Sequence, residues 1–179
     1  MMSGLKIVDL RDQLRWNPRR PRWPRQRPLD SIDKVILHQE LGNGDARAVN
    51  EYHRCYDPRG ISYGRNWPRI AYHYVIEKDG TIEQVNDLTD VTWHCRGQNT
   101  HSIGIMLVGN FAGPGHNGSE PTAAQGRAFF ALAEHLMETL GLGPDAFFGH
   151  CDFRKPACPG TTAYSWVQRL QNKNKNEIA

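Results

Sequence analysis

HSIGIMLVGNF, residues 101–111, is the stretch on which the fold turns. Ile103, Ile105 and Leu107 alternate with Gly104, Met106 and Val108, so neither side of the implied strand carries a charge. A strand that is apolar on both sides is covered on both sides, as in sheets sandwiched between helices. Working outward, the residues on either side supply those helices and the neighbouring strands.

Upstream, KVILHQE (34–40) is a short β-rich apolar run ending at His38, and GDARAVNEYHRCY (44–56) has helical apolar spacing. AYHYVIEKDGTIEQV (71–85) places two strand-like runs on either side of Asp79-Gly80, a strong hairpin signal. Downstream, Thr122 and Gln125 form a capping-box pattern. Phe129, Leu132, Ala133, Leu136, Met137 and Leu140 then repeat at helical spacing until Gly141. That stripe reads as core. DAFFGH (145–150) is a further short strand delivering His150, and TTAYSWVQRL (161–170) is a terminal helix with Ala163, Trp166, Val167 and Leu170 on one side. The expected class is α/β, one domain with a mixed central sheet flanked by helices.

The chain has 179 residues, 39% of them apolar and 23% charged, enough for one sizeable core and too few for two. No run approaches the ~20 apolar residues of a membrane-spanning helix, and MMSGLKIVDLRDQLRW is too charged for a secretory signal. Cytoplasmic synthesis without a signal peptide is the expectation, with no membrane insertion. The net charge of +3 is uneven. Residues 1–30 carry Lys6 and seven arginines against Asp9, Asp12 and Asp30. Within them RWNPRRPRWPRQRPLD has four prolines and six arginines in sixteen residues, which excludes a regular helix or a central strand. We read 1–30 as a basic arm held to the surface by Trp16 and Trp23, 31–171 as the domain, and 172–179 as a polar, fraying tail. A nucleic-acid partner is not expected; attraction of the arm to anionic wall polymers is left open. Cys55, Cys95, Cys151 and Cys158 lack the spacing of a disulfide scaffold, so metal binding or burial is the default.

Eight histidines cannot all be functional. His53, His101, His116 and His135 have no companion chemistry. His38 and His150 each end a short buried strand, where side chains project into the crevices that hold ligands in α/β sheets. Cys158 lies on the loop after His150 and can fold back as a softer ligand. Two imidazoles and a thiolate suit zinc and leave a fourth position open for water, the catalytic arrangement. A closed structural site would need Cys151 as well, whose side chain should point away from His150 in extended chain.

VILHQE, RNWPRIAYHYVIEKDGTIEQV, TWHCRGQNTHSIGIMLVGNF and GHCDFRKPACPG, in this order across residues 31–170, resemble the zinc N-acetylmuramoyl-L-alanine amidases. These are related to peptidoglycan recognition proteins and to amidase-type phage lysozymes. The resemblance implies a recognition-protein-like amidase fold, Zn2+ as cofactor and peptidoglycan or muropeptide as substrate. It implies His38, His150 and Cys158 as metal ligands and Tyr72 as the catalytic tyrosine. The family lysine two residues before the third ligand is replaced by Pro156, which leaves Lys155, one place earlier, as catalytic candidate and Arg154 as its competitor. A second branch carries a catalytic glutamate where Met106 stands, so this chain resembles the tyrosine-using branch. His94, Trp67 and Asn110, with Arg96 and Asn99 as neighbours, align with segments that flank the substrate groove.

The expected activity is hydrolysis of the bond between N-acetylmuramic acid and L-alanine by a monomer, as in a phage endolysin released by a holin. Alternatives are a non-catalytic muropeptide-binding module and a cytoplasmic recycling amidase.

Overall fold

The computed structural model describes residues 5–56, 64–113 and 117–177, with side chains to residue 172. His116 therefore lies outside the described residues. Six strands form one sheet in the order β1-β4-β3-β5-β2-β6. They are β1 (Ile7–Asp9), β2 (Lys34–Gln39), β3 (Tyr74–Ile76), β4 (Ile82–Gln84), β5 (Ser102–Leu107) and β6 (Phe147–Gly149). All neighbours run parallel except the β3–β4 pair. The hairpin closes at Gly80, whose φ of +89° suits glycine. The chain is α/β with a mixed sheet.

The opening stretch is β5, buried at every residue and paired on one side with β2 and on the other with β3. Its two faces meet different partners. Ile103, Ile105 and Leu107 join Val35 and Leu37 against helices α2 (Ala123–Leu140) and α3 (Thr161–Glu177), through Phe129, Leu132, Leu136, Val167 and Leu170. Met106 and Val108 join Val75 against Val49 of helix α1 (Ala46–Arg54) and against Leu10 and Leu14.

Local signals explain the helix ends. Asp45 caps α1 by accepting from the Ala48 N–H at 2.8 Å. Thr122 and Gln125 cap α2 reciprocally, and Gly141 ends it in the left-handed region. Gly126 leaves room for the Trp166 indole, which stacks on Phe129 and locks α3 to α2.

Two features depart from the sequence expectation. Residues 7–9 are an edge strand of the sheet, and Leu10, Leu14, Trp23 and Arg27 are buried, so packing is continuous across residue 30. The arm is proline-rich only from residue 18, which leaves its first residues free to pair with β4. The terminal helix also continues past 170 to Glu177, through residues read as tail. Asn, Lys and Gln disfavour helix only weakly, and a helix anchored by Val167 and Leu170 can propagate outward.

Candidate metal centre and cleft

Parallel pairing of β2 with β6 sets Leu37 opposite Gly149, so the next residue of each chain, His38 and His150, emerges at the same sheet end. Their Nδ1 atoms are 3.0 Å apart, and Cys158 Sγ lies 4.0 Å from His38 Nδ1. Among the described residues these three are the set of His, Cys, Asp or Glu able to hold one metal ion, with all ligand atoms within 4.8 Å of one another. Zinc bond lengths require about 3.3 Å between two nitrogens and about 3.6 Å between nitrogen and sulfur in a tetrahedral site. The set fits a small rearrangement of side chains around such an ion. Cys151 is not part of it.

The protonation states fit a cation as well. Burial holds His38 well below the usual imidazole range and His150 down at about 4, so both are neutral, lone-pair-bearing ligands near pH 7. Burial pushes the Cys158 thiol up to about 12. A thiolate there needs a cation beside it, which couples metal uptake to proton release.

Hydrogen bonds and close packing hold Cys158 and His150 in place. Cys158 sits in a turn closed by its N–H on the Lys155 carbonyl at 2.8 Å. Gln39 fixes that turn: its backbone N–H donates to Cys158 Sγ at 3.4 Å and its amide donates to the Ala157 carbonyl and accepts from the Phe111 N–H. The residue after His38 faces the opposite side of the strand, so no metal motif marks Gln39 in the sequence. Gly149, ahead of His150, has no space for a side chain beside Tyr164, Cys151 and Pro159. Asp152 accepts from its N–H and from the Tyr164 hydroxyl.

A cavity of about 780 Å³ opens over the three ligands. Tyr72, Lys155, His94, Trp67, Arg65, Arg96, Glu40, Met106 and Trp93 line it. Tyr72 precedes β3 and its ring centroid is 5.1 Å from that of His38. Burial, then the negative charge expected at Cys158 and Glu40, raises its pKa, so the phenol keeps its proton. Met106 pairs with His38 in register and gives the cavity an apolar floor where the glutamate branch has a carboxylate. Of the two cations considered near Pro156, Lys155 lines the cavity and Arg154 does not.

Trp67, expected at the groove, packs 4.8 Å from His53 and 6.0 Å from Trp93, and Trp93, which no pattern in the sequence singled out, extends the wall. Asn110 is outside the cavity wall. Its side chain accepts from the Ala112 N–H and its carbonyl from the Ser119 N–H. Asn99 is also turned elsewhere, accepting from Cys95 N–H. His94 stands behind His38 with its Nδ1 3.0 Å from His38 Nε2, and burial holds it down at about 3.

Comparison with known proteins agrees with this geometry. The family model of N-acetylmuramoyl-L-alanine amidase matches residues 27–161. An endolysin of Enterobacteria phage K11 is 33% identical over 105 residues, covering 58% of this chain and 68% of that protein. Among solved structures, the endolysin N-acetylmuramoyl-L-alanine amidase from Clostridium intestinale superposes with a TM-score of 0.69 at 23% identity, covering 96% of this chain and 99% of that one. Peptidoglycan recognition protein-LE, solved with tracheal cytotoxin, a monomeric diaminopimelic acid-type peptidoglycan, gives 0.69 at 22% identity over 91% and 92% of the two chains. The match spans β2 to β6, the hairpin and all three clustered residues, and this chain belongs to the N-acetylmuramoyl-L-alanine amidase family.

Proposed function

We propose that the chain is a zinc-dependent peptidoglycan amidase that cleaves the bond between the lactyl group of N-acetylmuramic acid and L-alanine. The observation that carries this reading is the convergence of His38, His150 and Cys158 at the base of an open cavity, with Tyr72 beside them. His38, His150 and Cys158 would hold the ion. When bound, zinc supplies a Lewis acid and lowers the pKa of water to about 7, which an amide needs at neutral pH.

The remaining work falls to side chains of this chain. Tyr72, protonated, donates a hydrogen bond to the oxygen that gains charge as the carbonyl is attacked, worth about 3 kcal/mol for a comparable donor. Lys155 adds positive charge on the cavity wall near His150. Met106 cannot accept a proton, so no carboxylate base is assigned to this face of the site. Trp67 offers a flat apolar wall to substrate. The muropeptide bound by the structural relative recognition protein-LE supports the same substrate class here. An intact ligand set favours hydrolysis over simple recognition.

Digestion of purified peptidoglycan, with and without a chelator, tests the reading through product masses. Free stem peptides beginning with L-alanine, lost on chelation, are expected. Cut glycan strands, or intact sacculi with bound protein, would overturn it. His38→Ala and Cys158→Ala are each expected to abolish lysis and zinc content together.

A further inference from the structure

Resting on the zinc reading above, the surroundings of His38 carry one step more. An imidazole can offer a metal its Nδ1 lone pair only if its single proton sits on Nε2, and the partner of Nε2 decides this. In this fold the partner is another imidazole, which has the same ambiguity, so the question passes one residue further back.

It ends at Ser102. The Ser102 hydroxyl donates to the Gln98 carbonyl at 2.8 Å, which leaves its oxygen free only to accept from His94 Nε2 at 3.1 Å. The Ser102 carbonyl, 3.4 Å from the same nitrogen, also can only accept. His94 Nε2 therefore carries the proton. With His94 neutral, its Nδ1 has a lone pair and accepts, at 3.0 Å, from His38 Nε2–H. His38 Nδ1 is then the free lone pair, and it is the atom that faces His150 Nδ1 and Cys158 Sγ.

The backbone of β5 is shaped for this arrangement. A side chain at Gly104 would meet the His94 ring at 2.6 Å, so a glycine in the central strand, costly for its stability, creates the seat of the imidazole. Ser102 and Gly104 lie two apart on one face of β5, one orienting the ring and the other making room for it.

We infer that His94 is a positioning residue: the chain Gln98 carbonyl, Ser102, His94, His38 fixes the tautomer in which His38 presents Nδ1 to the metal. His94 also lines the cavity, so this action through the ligand stands beside the substrate contact expected of it.

Two-bond proton–nitrogen NMR on the metal-free protein reads the tautomers of His38 and His94, and calorimetric titration with zinc reads affinity. The Nε2–H form is expected for both rings in the parent. His94→Leu removes the acceptor and is expected to weaken zinc binding about 10- to 100-fold. His94→Asn, which returns an oxygen acceptor near the Nδ1 position, is expected to recover most of that loss. A merely space-filling His94 would instead favour Leu over Asn. An Nδ1–H His38 in the parent overturns the inference, as does unchanged zinc affinity in a His94→Leu variant that melts like the parent. If His94→Leu fails to fold, the parent tautomers and Ser102→Ala, expected to weaken zinc binding less than His94→Leu, decide it. Failure of the parent to bind zinc overturns the zinc reading itself, and the metal-free tautomers distinguish that failure from failure of the chain.

Discussion

At the scale of single residues, Tyr72, Lys155 and His94 all line the cavity, and His94 and Gln39 also hydrogen-bond to two of the clustered residues, His38 and Cys158. Tyr72→Phe removes only the phenol donor and should lower kcat about 10²-fold with zinc content unchanged, measured on a soluble muropeptide. An equal loss of zinc would instead place Tyr72 among the groups that hold the ion. Lys155 tests the displaced-lysine idea: Lys155→Ala should cost more activity than Arg154→Ala, because only the former lines the cavity. The three candidate ligands were legible in the sequence because strand-end histidines and a loop cysteine are chemically conspicuous. Gln39 and Ser102 were not, since polar residues in strands carry no mark of what they hold. Asn110 was expected at the groove from its neighbours alone; its side chain accepts from the Ala112 N–H and it is not among the residues lining the cavity.

At the scale of elements, α2 is tied to the sheet by more than its apolar stripe. Gln125 completes the cap on Thr122 and also donates to the Ile76 and Val108 carbonyls while fully buried. Gln125→Ala loses the side-chain half of the cap and the donor to those carbonyls, so denaturant unfolding should show a loss of about 2–4 kcal/mol. The β3–β4 hairpin carries a different device. Glu83 is raised to about 7 by burial and then by Glu77, with which it shares a hydrogen bond. A carboxyl raised above its unfolded value of 4.5 stabilises the fold fully below that value, and the contribution is lost as pH rises through about 7. Glu83→Gln should therefore raise the melting temperature relative to the parent at pH 8 and help less at pH 5. Equal effects at both pH values would contradict the shift. The hairpin itself was readable from Asp79-Gly80, but the carboxyl pair was not, because only the antiparallel register brings Glu83 and Glu77 together.

At the scale of the whole molecule, the basic arm proves to be part of the core. Leu10, Leu14 and Trp23 are each buried, the Trp23 indole donates to Asn86, and Arg27 donates to the Leu88 and Asn99 carbonyls. Each buried apolar side chain contributes about 1.5–3 kcal/mol, so deleting residues 1–28 removes a stabilisation comparable with the whole of a typical domain's. The truncated chain should show no cooperative melt, and its failure to bind walls would say nothing about the arm. Replacing the exposed Arg20, Arg22 and Arg25 by Gln keeps the fold, and salt-dependent pelleting with sacculi then reads their contribution to wall binding. The sequence by itself determined the α/β class, the hairpin and the capped helix, and singled out the three candidate ligands, because periodicity, turn chemistry and ligand chemistry are local properties. Only the tertiary structure decided that His38 and His150 meet across β2 and β6, that the arm enters the sheet, and that His94 stands against His38. Those facts depend on strand order and register, which bring together residues 56 to 112 positions apart and leave no local trace in the chain.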